Sequence, residues 1–277
     1  ALLKTLVTGA GGQVGVDLIR TLIASGDEVV ATDIRERPSF ASDLPADLPW
    51  SRLDVTDAEA VQTKLAEGKF DRVFHLAAIL SAAGEKNPAL TYKVNQGGLY
   101  NMLEACRLTE TRQLIFTSTI AVFGPNLEPD VADEVPLRPT TMYGVTKASG
   151  EMLGEYYKRR YGLDFRAVRF PGLISASLPG GGTSDYALFM YVDGVRKNAY
   201  EAFCHESTRI PLMYMPDGIR ALVELSNADI ERLTRCTYNI AAFSPTAKEI
   251  GESVATELGT QPTFTFVPDP LRQAILD

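Results

Sequence analysis

Tyr143 and Lys147 stand four residues apart in the run Tyr143-Gly144-Val145-Thr146-Lys147. On a helix that spacing puts a phenol and an ammonium on one face, one turn apart. An ammonium beside a phenol favours phenolate and lowers its pKa from about 10 toward the working range. Such a phenolate can take the proton of an alcohol while hydride leaves for an acceptor. A lone Tyr-x-x-x-Lys is ordinarily a surface pair. Here it follows an apolar run ending in Thr117-Ser118-Thr119, whose hydroxyls can hold the reacting oxygen near the phenol.

A hydride acceptor has its own signature. Gly9-Ala10-Gly11-Gly12-Gln13-Val14-Gly15 ends one apolar run and opens a helical one. Glycines at 9, 12 and 15 permit a tight turn and let backbone N–H groups approach a pyrophosphate, with the positive helix start at Gln13-Val14 facing the anion. Asp33 ends the second predicted strand, where a carboxylate accepts hydrogen bonds from an adenosine ribose and repels a 2′-phosphate. The expected cofactor is therefore NAD rather than NADP, although Arg35 and Arg37 just downstream could tolerate a phosphate. Asp54-Val55 are expected to bracket the adenine. Leu76-Ala77-Ala78 leave small side chains where the cofactor would cross a sheet.

The elements that must position these groups alternate in type. Strands are predicted at Leu2–Val7, Glu28–Asp33, Arg52–Val55, Arg72–Ala77, Arg112–Ser118 and Phe165–Phe170. Helices are predicted at Val14–Ala24, at Asp57–Ala66 with Thr56 as N-cap and Glu59 closing a capping box, and at Pro88–Leu108 and Tyr143–Tyr161. Apolar strands separated by helices predict a doubly wound parallel α/β sheet over residues 1–172. Residues 173–277 mix predicted helices (Asp185–Arg196, Asp217–Ala228, Thr246–Leu258) with extended runs (Arg209–Met213, Thr237–Ile240, Thr263–Val267). They are expected to form a small substrate lobe packed on the first domain, over the carboxyl edge where such sheets bind substrates.

Composition narrows the class. Of 277 residues, 45% are hydrophobic and 22% charged, ordinary values that argue against a disordered or fibrous chain. A net charge of −8 works against nucleic-acid and anionic-membrane partners. No apolar stretch is long enough to span a membrane. Lys4, Asp17 and Arg20 interrupt the apolar start, which is therefore not a secretory signal. Cys106, Cys204 and Cys236 are odd in number and widely spaced, which points away from a disulfide framework and toward a cytoplasmic location.

Thr8–Gly15, Leu76–Ala78, Ser118-Thr119, Tyr143-x-x-x-Lys147 and Arg169–Leu173 together resemble the extended short-chain dehydrogenase/reductase superfamily over essentially the whole chain. Leu80-Ser81-Ala82-Ala83-Gly84-Glu85, Gly154–Tyr157 with Tyr161–Arg166, Gly180–Ala187 and Arg209–Tyr214 are similar to the short-chain L-threonine 3-dehydrogenase family. That resemblance implies oxidation of the threonine β-hydroxyl by NAD+ to 2-amino-3-oxobutyrate. It implies Tyr143 as general base and Lys147 as its electrostatic partner and nicotinamide-ribose ligand. Thr119, with Ser118 beside it, aligns with the catalytic hydroxyl; Ser81 and Thr183 resemble the substrate-contacting hydroxyls, and Leu173 falls in the nicotinamide pocket. A homodimer through the two long helices is also implied.

For an amino-acid substrate, Gly180–Gly182 could offer backbone N–H groups to the carboxylate, in a loop able to close as a lid. Glu85 and Asp185 are the candidate partners of its ammonium. A nucleotide-sugar 4-epimerase or dehydratase would use Tyr143 and Lys147 alike, but needs basic residues for a diphosphate, and few lie near this loop. An NAD-binding redox sensor would not need the tyrosine. His75, within an apolar run, reads as a hydrogen-bonded core histidine. Cys204, His205 and Glu206 are adjacent and point apart, so no metal is expected.

Overall fold

Each short apolar run hands the chain to an amphipathic helix, so that strands are delivered side by side and helices to either face. The computed structural model describes residues 2–176 and 181–277. In order, the first elements are β1 (Lys4–Thr8), α1 (Gln13–Ala24), β2 (Glu28–Asp33), β3 (Trp50–Arg52), α2 (Ala58–Gly68) and β4 (Arg72–His75). Then come α3 (Ser81–Glu85), α4 (Pro88–Tyr92), α5 (Gly98–Leu108), β5 (Gln113–Thr119), α6 (Met142–Tyr161) and β6 (Asp164–Phe170). Beyond them lie β7 (Gly172–Ile174), α7 (Asp185–Lys197), β8 (Ala199–Ala202), β9 (Leu212–Tyr214) and α8 (Met215–Asn227). The chain continues through β10 (Thr237–Asn239), α9 (Ala247–Leu258), β11 (Thr263–Phe266) and α10 (Pro270–Leu276).

Among the described residues, seven parallel strands form one sheet in the order β3-β2-β1-β4-β5-β6-β10. This is the doubly wound architecture expected. Period-two alternation sorts its side chains. Leu6, Val73, Leu114 and Ala167 pack toward α2, α5 and α6, while Val7, Phe74, Ile115 and Val168 pack toward α1 and α8. Strand order reverses between β1 and β4, and the crevice outside their carboxyl ends is where such sheets take ligands.

Residues 173–277 serve two bodies. The apolar face of α8 (Met215, Ile219, Leu222) covers the sheet, and β10 extends it beside β6 with Tyr238 opposite Val168. A separate core joins α7 and α9 through Tyr186, Met190, Ile250 and Val254, with β8 paired to β11. The pair β7–β9 sets Leu173 opposite Met213.

Three local expectations need correction. The third strand lies earlier, at Trp50–Arg52, so Asp54 and Val55 follow it rather than end it. Thr56 is not the cap of α2: Asp57 is, accepting from Ala60 N at 3.0 Å, while Thr56 donates its N–H and hydroxyl to Asp54. The stretch 88–108 starts as expected with Pro88 in the first turn, but contains a π turn at Lys93–Gly97. Among the described residues no helix is long and apolar enough to cross a membrane, and no group of three metal-ligating side chains converges.

Candidate active site

The glycine turn is a close approach of three backbones. Gly9 has φ +65°, and a Cβ there would stand 2.7 Å from the Ala77 nitrogen, where β1 meets the loop leaving β4. A Cβ on Gly15 would stand 2.6 Å from the Gly9 carbonyl oxygen, so the third glycine lets α1 lie against the turn. Gly12 is the N-cap residue of α1, with no side-chain cap and no acid in the first turn, which holds Gln13 and Val14. Asp33 is buried at the end of β2 and ties the turn down, accepting from Gly11 N and Arg35 N at 2.9 Å each. Arg37 is spent on the carbonyls of Ala41, Leu44 and Pro45, leaving the exposed Arg35 as the cation beside Asp33.

Around the turn, Leu76 N donates to Thr8 O at 3.2 Å and Ala77 N to Thr8 Oγ1 at 3.4 Å, which carries the β1–β4 pairing into the loop. Ala78 follows, and Ile79 is clipped at both backbone groups by Asn95, which accepts at 2.8 Å and donates at 3.0 Å. Two hydrogen bonds from Thr56 hold the Asp54 carboxylate below its usual range. Val55 is buried, and its carbonyl accepts from Asn101. Leu173 lies on β7, packed near Gly218.

The reacting end is built at the start of α6. Thr141 caps the helix through Gly144 N at 3.0 Å, and Glu85 accepts from Met142 N at 2.8 Å. A Cβ at Gly144 would stand 2.5 Å from the Ala121 carbonyl oxygen, so glycine lets α6 close on the exit of β5. Tyr143 and Lys147 share a face as expected: the Lys147 Nζ is 5.7 Å from the Tyr143 ring centre and 4.5 Å from that of Phe116. It donates to the Thr117 carbonyl. The Thr119 hydroxyl neighbours the Tyr143 phenol and favours its ionised form.

Electrostatics correct one expectation. The phenol is not lowered: burial pushes it up to about 12, with Thr119 pulling it back. Burial likewise drives Lys147 down to about 7, opposed by the charge of Glu151. Spacing brings the two groups together, but in the protein alone desolvation outweighs the ammonium's pull. Ser118 is a second correction. It is buried under α6 and donates to Glu151, so its hydroxyl is not available beside the phenol; alternation along β5 leaves that place to Thr119.

At the far side, Ser81 and Thr183 meet: their hydroxyl oxygens are 3.4 Å apart and Thr183 N donates to Ser81 Oγ at 3.3 Å. Gly180 lies outside the described residues. Gly181 and Gly182 do offer their N–H groups to a carboxylate, but to that of Asp185, at 2.9 and 2.8 Å. Burial nonetheless raises Asp185, while these bonds and the charge of Arg272 on α10 draw it back. Of the two acids considered for an ammonium, Glu85 is thus committed to α6, and Asp185 opens α7 with its carboxylate bonded by the glycine loop.

Residues 5–241 match the NAD dependent epimerase/dehydratase family. The chain belongs to that family. An uncharacterised epimerase/dehydratase of Staphylococcus haemolyticus is 42% identical over 99% of this chain and 86% of its own length. Among solved structures, a monomeric L-threonine 3-dehydrogenase from a metagenome is 39% identical, with a TM-score of 0.91 over 99% of this chain and 87% of that one. UDP-glucose 4-epimerase of Thermus thermophilus, in complex with NAD, is 25% identical, with a TM-score of 0.83 over 98% and 91%.

NAD is the cofactor of this family, and the residues present fit it: a turn where a Cβ would clash, a helix start without a side-chain cap and a buried acid converge at the switch point of the sheet. Three groups of this family member escaped the sequence reading. Asn95, on the π turn, also donates to Thr146 at 3.2 Å and so links the loop after β4 to α6. A π turn has no local signature, so nothing marked it. Glu151 and Arg169 form a buried ion pair behind Lys147. The repeat Tyr143, Lys147, Glu151 was the signal available. His75 is buried as expected, with Nδ1 2.9 Å from Thr8 Oγ1 and Nε2 unpartnered.

Proposed function

We propose that the protein oxidises the β-hydroxyl of L-threonine with NAD+, giving 2-amino-3-oxobutyrate, NADH and a proton. The observation that carries this reading is the hydrogen-bonded pair Ser81–Thr183, with Asp185 two residues beyond Thr183 and bonded by the N–H groups of Gly181 and Gly182: two hydroxyls and an acid of the kind a compact zwitterion needs. The likeness to a solved L-threonine 3-dehydrogenase at 39% identity, against 25% for the epimerase, supports the same choice.

In this reading Tyr143 accepts the hydroxyl proton, Thr119 holds the same oxygen, and Lys147 supplies the positive charge that favours phenolate. Asp185 receives the substrate ammonium, and Ser81 and Thr183 bond its polar groups. Gly9, Gly12, Gln13, Val14 and Gly15 cradle the pyrophosphate. Asp33 takes the adenosine ribose, Asp54 and Val55 flank the adenine, Leu76, Ala77 and Ala78 line the crossing, and Leu173 meets the nicotinamide. NAD+, when held by these residues, would supply the hydride acceptor. Because the base must be phenolate, kcat/KM rises toward alkaline pH.

The rival is a nucleotide-sugar epimerase, in line with the likeness to the Thermus thermophilus UDP-glucose 4-epimerase. NADH formation with L-threonine, against a panel of UDP-sugars assayed for epimers, decides between them. Turnover of a UDP-sugar without threonine oxidation would overturn the reading. We further assign a homodimer in the cytoplasm, joined across the exposed Tyr100, Leu108, Met152, Tyr156 and Tyr161 of α5 and α6. Sedimentation as a single chain, the state named for the metagenomic relative, would refute the dimer.

A further inference from the structure

Tyr143, Lys147 and Glu151 recur every four residues and form one stripe along α6. The stripe runs from the reacting end of the site down to a buried ion pair. Glu151 Oε1 accepts from Arg169 Nε at 2.9 Å and Oε2 from Nη2 at 2.7 Å, and Ser118 donates to the same Oε1. Arg169 lies over the Phe123 ring, 4.9 Å from its centre, and donates Nη1 to Asn239 Oδ1 at 3.2 Å. Asn239 is on β10, so the last strand of the sheet braces the pair.

A buried ion pair is weak evidence for stability, because apolar residues of the same shape often do as well. Its place next to Lys147 gives it another use. The Nζ of Lys147 meets a carbonyl oxygen and two ring faces, which replace lost water around a full charge poorly. The ionisable groups facing it are Tyr143 and Glu151 on α6, the buried His75 on β4, and Arg169 on β6 behind Glu151. Among these the one fixed anion is Glu151.

We propose that Glu151 is a positioning residue for the reaction: clamped by Arg169 and Ser118 one helical turn beyond Lys147, its carboxylate keeps that lysine an ammonium next to Tyr143. The inference rests on the roles given above to Tyr143 and Lys147. Arg169 moderates the carboxylate, so the two together set how readily the Tyr143–Lys147 pair gives up a proton, and from which member. The opposition between burial and Glu151 at Lys147 agrees with this.

The test is a titration with opposite signs. Heteronuclear NMR of the Lys147 side chain, assigned with Lys147→Arg in protein without cofactor, follows its protonation directly. Glu151→Gln keeps the shape and deletes the charge, so Lys147 titrates about one pH unit lower. In that variant the alkaline rise of kcat/KM also moves down, and its plateau falls about tenfold, because a still smaller share of the pair's proton loss falls on the phenol. Arg169→Gln unmasks the carboxylate and moves the lysine the other way, and Glu151→Asp restores most of the wild-type profile. Ser118→Ala leaves the ion pair standing, removes one donor and raises Lys147 by a few tenths of a pH unit, which keeps the test open should Glu151→Gln fail to fold. An unmoved lysine in these variants, or shifts of one sign in Glu151→Gln and Arg169→Gln, would overturn the proposal. The lysine titration needs no substrate, so absence of threonine oxidation would count against the proposed function and not against this role.

Discussion

The two edges of the central sheet bury polar groups to opposite ends. At the amino edge, Arg72 on β4 donates to Thr5 at 3.0 Å, to Ser226 at 3.0 Å, to Asn227 at 2.9 Å and to Asp27. Arg166 on β6 grips Asp164 twice at 2.8 Å and reaches the carbonyls of Leu225 and Ala228 at the end of α8. Cations placed on the last carbonyls of a helix satisfy both its unpaired acceptors and its dipole. Each guanidinium there is met by fixed acceptors. At the carboxyl edge the buried Lys147 and His75 and the half-buried Tyr143 have few partners, and desolvation pushes each toward its neutral form. One edge spends its polar groups on docking a helix. The other keeps them poised, which is how sites for proton transfer are made.

Substitutions can break that comparison. The largest effect belongs to Tyr143→Phe, which should lower kcat with L-threonine by ~10²–10⁴-fold, the range for a lost acid–base group, with an unchanged melting curve. A smaller loss would mean that Tyr143 is not the base. Next, Arg72→Met leaves Asp27 buried and unpaired and should cost about 3–5 kcal/mol in urea unfolding. Lys147→Met should do the reverse, gaining ~1–3 kcal/mol at neutral pH while activity collapses, because a desolvated ammonium is removed. Equal stability losses in both would erase the contrast between the edges.

Acid offers a finer cut. His75 falls from 6.5 to about 3 because burial disfavours its cation, with Lys147 adding to the effect. The unfolded chain therefore takes up a proton that the folded one refuses as pH drops below 6.5. Stability is full above 6.5 and is lost toward pH 3, by about 1.4 kcal/mol for each pH unit. Replacing His75 with Asn should flatten that slope, as followed by chemical unfolding at stepped pH. The smallest effect is expected at Asp33→Ala, which should narrow the preference for NAD over NADP by roughly tenfold, about 1.4 kcal/mol. An unchanged ratio would show that Asp33 does not read the ribose.

Much of this was legible in the chain. Apolar alternation at Leu6-Val7 and Leu114-Ile115 announces strands covered on both faces, and the glycines at 9, 12 and 15 mark where three backbones must touch. What escaped has physical reasons. Spacing brings Lys147 to Tyr143 but carries no measure of desolvation, so the direction of the Tyr143 shift was misread. Ser118 and Thr119 are alike in type, and only the pleat decides which meets the phenol. The glycine loop advertises an anion site without revealing that Asp185, four residues from Gly181, fills it. Thr237–Asn239 is too short a run to announce itself as the sheet's edge.

That last strand bears on how the protein is made. With α8 it arrives from the ribosome some seventy residues after β6, so the nascent sheet waits with one face bare at Val168 and Phe170 and one edge unpaired. A product halted near residue 172 would keep that adhesive surface and fall to chaperones or aggregation. Synthesis must pass Asn239 before Arg169 acquires its brace, which ties completion of the site to arrival of this strand.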